Sequence, residues 1–288
     1  MTGSIKEIIG YSLVAMNGLI NRKSEGILSI YFHDPPKWLF DKIIEWLLQH
    51  DFRCISAAEL DARISAGEKS GEKLAFLSFD DGCKNNLDLL ATIERYGVPV
   101  IIFIPVEAVR EGNYWWEYAS HPQQHHHTGI TGLEAFKKLP GTLFEHKISL
   151  LKEKFNLNRS CITPAELEVL NQNSFVTLGS HTVTHPILNQ CSIEKQRFEL
   201  IESKRVLENW LKKPVHYFAF PNGNFDENTL ELAREAGYRL CFSTIPGRIN
   251  PQHVHPMSIP RNSINDAGKY YENLAKIHGT WQKIYFKR

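Results

Sequence analysis

Short polar arrays stand at the ends of apolar runs in this sequence, and their residue types could do chemistry together. The run Leu74-Ala75-Phe76-Leu77-Ser78-Phe79 reads as a buried strand and stops at Asp80-Asp81-Gly82. Adjacent carboxylates at such a stop can cap a helix, or they can bind a metal and move protons. Farther along, Phe175-Val176-Thr177-Leu178-Gly179-Ser180 runs straight into His181-Thr182-Val183-Thr184-His185. Taken as a helical turn, two imidazoles at this spacing project to one side and can share one ion. One carboxylate and two histidines leave coordination positions open for water and substrate, as a divalent cation needs for hydrolysis. A third strand, Val215 to Phe220, ends at Pro221-Asn222-Gly223.

Something must bring these strand ends to one place. Gly26 to His33 is a short apolar strand ending at a histidine and broken by Asp34-Pro35-Pro36. Trp38 to His50 carries Trp38, Leu39, Ile43, Trp46 and Leu47 on one helical face. Leu87 to Tyr96 reads as a helix closed by Gly97, and Val98 to Ile104 as a strand covered on both faces. Strand, helix and strand with short joints make a βαβ unit, and a parallel sheet places its C-terminal strand ends on one face. Ile193 to Leu211 follows as an amphipathic helix with Phe198, Ile201, Val206 and Leu207. After it come a helix from Glu227 to Ala236, a strand from Tyr238 to Ser243 and a terminal helix from Asp266 to Ile277.

Between 111 and 163 the pattern weakens. Tyr114-Trp115-Trp116-Glu117-Tyr118 is densely aromatic, His125-His126-His127 reads as a solvated tract, and Ile148 to Phe155 looks helical. A long irregular insertion of this kind usually lies over or beside a site. Trp115 and Trp116 in this cluster could line such a site, or simply pack. The expectation is one α/β domain across 1–288, with this insertion and a helical tail at 266–288.

With 288 residues and 42% hydrophobic content, the chain can bury a sizeable core. A net charge of +1 with no basic run gives no electrostatic case for a nucleic-acid partner. No stretch approaches the ~20 apolar residues of a membrane span. The N-terminus lacks a basic segment followed by a long apolar one. Five scattered cysteines without a C-x-x-C pair suit reduced thiols better than a disulfide framework. Cys83 is expected to be a small buried hydrophobe. Together these features predict a cytoplasmic chain.

Ser78-Phe79-Asp80-Asp81-Gly82 matches the first motif, T/S-F-D-D-G, of the polysaccharide deacetylases with NodB homology, carbohydrate esterase family 4. His181-Thr182-Val183-Thr184-His185 matches their second, H-S/T-x-x-H, and the chain resembles the family over roughly 25–265. The resemblance implies a distorted (β/α) barrel of about seven strands and metal-dependent N- or O-deacetylation of a sugar. It implies Asp80 as general base and Asp81, His181 and His185 as metal ligands, most often for Zn²⁺, with Co²⁺, Ni²⁺ or Mn²⁺ as alternatives. The third motif corresponds to Phe220, Pro221 and Asn222, with a backbone N–H at Asn222 as oxyanion donor. Many members carry an arginine there, and this chain has Ala219. Some relatives with that alanine carry a late L/I-P-R segment, matched by Ile259-Pro260-Arg261, so Arg261 is expected to pair with Asp80. His33 falls where relatives often place a histidine. The histidine that acts as general acid has no clean match, and His255 is one candidate.

The expected substrate is an acetylated amino sugar, linked to a nucleotide, lipid or glycan, destined for a lipopolysaccharide or capsule-type glycan. Two alternatives stand beside it. One is hydrolysis of a non-sugar amide on the same barrel. The other is a glycan-binding protein of weak or lost catalysis, motivated by the missing arginine and the unassigned acid.

Overall fold

The computed structural model describes residues 3–20, 25–69, 71–279 and 281. Its frame is a curled, mostly parallel sheet built from the apolar runs read above. The strands are β1 (Ile27–Phe32), β2 (Phe52–Ile55), β3 (Lys73–Phe79), β4 (Val100–Ile104), β5 (Val176–Ser180), β6 (Tyr217–Ala219), β7 (Leu240–Phe242), β8 (Arg248–Ile249) and β9 (Asn262–Ser263). The path runs β7-β6-β5-β4-β3-β1-β8, with β2 beside β3 and β9 beside β1. Every pairing is parallel except that of β1 with β8.

Side-chain alternation along the strands sorts the core into two layers. Phe76, Ile101, Phe103, Tyr217, Leu240 and Phe242 pack together on one side. Leu28, Ile30, Ala75, Leu77, Val100 and Ile102 face the helices on the other. The short segment around Arg261 joins the two ends of the sheet. Ile259 bridges Phe242 of β7, and Asn262 registers with Ile30 of β1. The result is a distorted (β/α) barrel.

In chain order the helices are α1 (Gly3–Ile20), α2 (Lys37–Gln49), α3 (Ala57–Ala66), α4 (Leu90–Tyr96) and α5 (Val106–Glu111), then α6 (Trp115–Ala119), α7 (Gln124–Thr128), α8 (Leu133–Lys137) and α9 (Gly141–Lys154). Four follow: α10 (Pro164–Gln172), α11 (Ile193–Leu211), α12 (Glu227–Glu235) and α13 (Tyr270–Ile277). A 3₁₀ turn, Lys84–Leu89, precedes α4 where one continuous helix was expected from Leu87.

Three further differences have physical reasons. The segment 111–163 holds the four helices α6 to α9 around its own small core of Trp115, Tyr118, Phe136, Ile148 and Leu151. Three of those helices are only five residues long, too short to display a 3.6-residue period. On α11, Phe198 and Ile201 are exposed, and the buried face carries Glu199, Leu200 and Ser203 instead. The N-terminal stretch is α1, laid against α13. The Glu7 carboxylate accepts the Tyr271 and Glu272 N–H groups at 2.9 and 3.2 Å. Gly10 admits the close approach, since a Cβ there would lie 2.5 Å from the Tyr271 carbonyl. No helix among the described residues is long and apolar enough to cross a membrane.

Candidate active site

The site forms where β1, β3, β5 and β6 end. Asp80 continues the ladder, its N–H donating to Phe32 O at 2.9 Å. The chain then turns sharply, with Asp81 at φ 73° and Gly82 at φ 62°. A left-handed aspartate is uncommon, and here it aims the second carboxylate back over the strand ends. The Tyr114 hydroxyl anchors that turn by donating to Asp81 O at 3.0 Å.

The histidine array is not a helical turn. After Ser180 it becomes an open loop, with Thr182 at φ 69° and His185 at φ 55°. Its backbone is held from several sides. Val106 and Glu107 N–H groups donate to Thr182 O and Val183 O at 3.1 and 2.9 Å, and Thr182 Oγ1 accepts the His185 N–H at 3.0 Å. Trp115 Nε1 donates to His185 O at 2.9 Å. From α11, the fully buried Glu199 accepts the Val183 and Thr184 N–H groups at 2.7 and 2.9 Å and the Thr184 hydroxyl at 2.7 Å. Lys195 pairs with the same carboxylate at 3.2 Å.

This scaffold brings three ligand atoms together. Asp81 Oδ1 lies 3.5 Å from His181 Nε2 and 3.3 Å from His185 Nε2, and the two Nε2 atoms are 3.2 Å apart. His181 Nδ1 lies 2.7 Å from Ala219 O, and a carbonyl can only accept, so that nitrogen carries the proton and Nε2 offers a lone pair. Burial pushes the His181 pKa down to about 4, against the pull of Asp80, which keeps the ring neutral. Burial would raise the Asp81 pKa, but the contact with and charge of His185 outweigh it, and the carboxyl is held below its usual range. Asp81 Oδ1 and His185 Nδ1 are buried with no hydrogen-bond partner. A carboxylate oxygen and two imidazole nitrogens so close, with an orphaned anion among them, fit a divalent cation.

Asp80 stands next to this cluster but is committed elsewhere. Arg261 Nη1 and Nη2 donate to its two oxygens at 2.7 and 2.9 Å, a bidentate fork. The guanidinium is completely buried; it also donates to Ser78 Oγ and Ser243 O, and it stacks over Tyr31 at 4.4 Å. Burial would raise the Asp80 pKa, but Arg261 more than offsets it, and the carboxyl is shifted downward.

A cleft of about 360 Å³ opens above these groups. Asp80, Asp81, His181, His185, His33, Trp115, Trp116 and Asn222 all line it. Trp116 stands edge-on to His185 with centroids 4.6 Å apart and stacks on Tyr114. Asn222, at φ 54°, forms part of the wall, while Phe220 and Pro221 are buried beneath it. His33 is partly exposed there, its Nδ1 3.8 Å from Asp266 Oδ2. His255 is exposed and outside the cleft.

Sequence reasoning missed Glu199, Asp266, Tyr114 as an anchor, and Lys137, which also lines the cleft. Glu199 carried one readable signal, a charge on what proves to be the buried face of α11. Asp266 carried none.

The sequence profile described as polysaccharide deacetylase matches residues 67–241. The YxkH protein of Bacillus subtilis strain 168 is 22% identical over 245 residues, 83% of this chain and 71% of that protein. The structure of IcaB from Ammonifex degensii superposes with a TM-score of 0.64 at 16% identity, covering 90% of this chain and 97% of that one. Streptococcus pyogenes deacetylase PplD in complex with acetate gives 0.62 at 18% identity, covering 88% and 97%.

Proposed function

The chain belongs to the polysaccharide deacetylase family, and from that premise we propose that it is a metal-dependent hydrolase releasing acetate from an N-acetylated amino sugar. One observation carries this reading: the buried Asp80–Arg261 fork stands directly beside the lone-pair cluster of Asp81, His181 and His185. Arg261 occupies the role left open by Ala219, which removes the main motive for a binding protein without catalysis.

Asp81, His181 and His185 would hold the ion, zinc by preference, and their donor set also accepts Co²⁺, Ni²⁺ or Mn²⁺. A bound ion there supplies Lewis acidity to the acetyl carbonyl and lowers the pKa of a water. Asp80, ionised and aimed by Arg261, takes the proton of the attacking water. The Asn222 N–H serves the oxyanion from the cleft wall. His33, backed by Asp266, protonates the departing amine, a role for which His255 is not placed. Trp115 and Trp116 give the sugar ring an aromatic wall.

Lys137 lines the same wall with its amine paired to Glu134 at 2.9 Å, and the phosphate of a nucleotide- or lipid-carrier-linked acetamido sugar of cytosolic glycan assembly would compete for that charge.

Acetate release from free, nucleotide-linked and lipid-linked acetamido sugars, with added Zn²⁺ and with chelator, tests the reading. Metal-dependent release that disappears in Asp80→Asn is the expected result. If the metal-loaded protein released acetate from none of these, sugar deacetylation would be wrong for this chain.

A further inference from the structure

We infer that Cys83 and Cys161 form a disulfide-competent pair, a covalent modification site that ties the Asp81 turn to the end of the helical insertion. The two are remote in sequence but face each other in a single antiparallel bridge. The flanking bonds run from Lys84 N to Ser160 O at 2.8 Å and from Ile162 N to Gly82 O at 3.1 Å. They bracket the cysteines, which makes this the non-hydrogen-bonded kind of pair. Such a pair holds its Cα atoms about 4.5 Å apart with both side chains on one face. Disulfides span Cα separations of about 4.4–6.8 Å, so little backbone movement is needed.

The thiols converge on the same small region. The Tyr114 hydroxyl, bonded to Asp81 O, lies 3.8 Å from Cys83 Sγ. Cys161 Sγ lies 3.8 Å from that same carbonyl oxygen and 3.4 Å from Gly82 O. The other three cysteines sit elsewhere: Cys54 on β2, Cys191 before α11, and Cys241 on β7 against Met257.

The co-reactant is a low-molecular-weight disulfide. The Cys83 thiolate, on the more accessible residue of the two, attacks one sulfur of the reagent and expels one thiolate. The Cys161 thiolate then attacks Cys83 Sγ in the mixed disulfide, forms the Cys83–Cys161 bond and expels the second. Two protein thiols are oxidised, the reagent is reduced to two thiols, and those thiols take up the two protons. The bond closes the whole segment 83–161 into a loop, which restricts the unfolded chain.

The test treats the full chain with oxidised glutathione, blocks remaining thiols and maps peptides by mass. A parallel sample is refolded in a glutathione redox buffer, where burial in the native state does not limit access. The expected product is a Cys83–Cys161-linked peptide lacking two hydrogens and absent from Cys83→Ser and Cys161→Ser. The linked protein should melt about 5–10 °C higher than the reduced one. Absence of the link in both samples overturns the inference. So does a dominant pairing of Cys83 with another cysteine, or a product that stops at the Cys83–glutathione adduct.

Discussion

The base proposed here, Asp80, has to remain ionised inside a buried site, and Arg261 favours that form by giving it both halves of a guanidinium fork. Removing one partner of such a pair leaves an uncompensated buried charge, at a cost of about 3–5 kcal/mol. Arg261→Ala should therefore lower the unfolding free energy by about that amount and reduce turnover at saturating metal. Arg261→Lys keeps a charge but loses the fork, so it should recover part of the stability and little of the turnover. The double variant Asp80→Asn/Arg261→Met should be closer to wild type in stability than Arg261→Ala while remaining inactive. Urea unfolding of the three variants beside acetate release checks this. A stable, fully active Arg261→Ala would show that the fork is dispensable. The partnership was legible as an expectation only through the late Ile259-Pro260-Arg261 segment, because no local pattern links residues 181 positions apart in the chain.

The loop His181–His185 has no regular structure of its own, so its geometry is borrowed from neighbouring elements. Glu199 on α11 holds it from below and Trp115 on α6 from the side. The spacing of the two histidines was readable, but the helical turn expected to carry them was not there. The left-handed residues Thr182 and His185 bring the rings together instead, and the Glu199 carboxylate beneath accepts the two N–H groups between them. Glu199→Ala should weaken Zn²⁺ affinity by about 10–100-fold, the usual effect of losing a group that orients ligands. Far-UV circular dichroism should stay native-like. Glu199→Gln, whose amide oxygen can still accept the two N–H groups, should lose less. Competition with a chromogenic chelator measures both affinities. Unchanged zinc binding in a folded Glu199→Ala would mean the loop keeps its shape without the carboxylate. The aromatic run 114–118 was visible as a cluster, but periodicity said nothing of its contacts, since five-residue helices leave no pattern.

Across the whole molecule, continuous apolar strands made the parallel sheet readable, whereas its closure was not. β8 and β9 are two-residue strands, too short to show any alternation, and Asn262 of β9 is tied in by its side chain, which donates to Ser29 O and Gly247 O. Of the tail expected over 266–288, the helix is present as α13, and residues 282–288 lie outside the described residues. The docking of α13 depends on a remote partner set: α1 through Glu7 and Gly10, and α2 through Trp46. His278, at the end of α13, stands edge-on to Trp46 at 5.1 Å. Burial, and then the charges of Arg248 and His50, push its pKa down to about 4. In the unfolded chain the same imidazole titrates near 6.5. Above that pH the ring is neutral in both states and its docking is intact. As pH falls from about 6.5 toward 4, the unfolded chain binds a proton that the folded protein refuses, so stability is lost across that window. The depression corresponds to at most about 3 kcal/mol, reduced by whatever solvent screens the partly exposed ring. His278→Phe, which keeps an aromatic edge against Trp46, should remove this loss. Urea midpoints at pH 7 and pH 4.5 should then fall further in the wild type than in the variant, and contributions from other titrating groups cancel in that difference. Equal losses would mean that α13 docks independently of the protonation of His278.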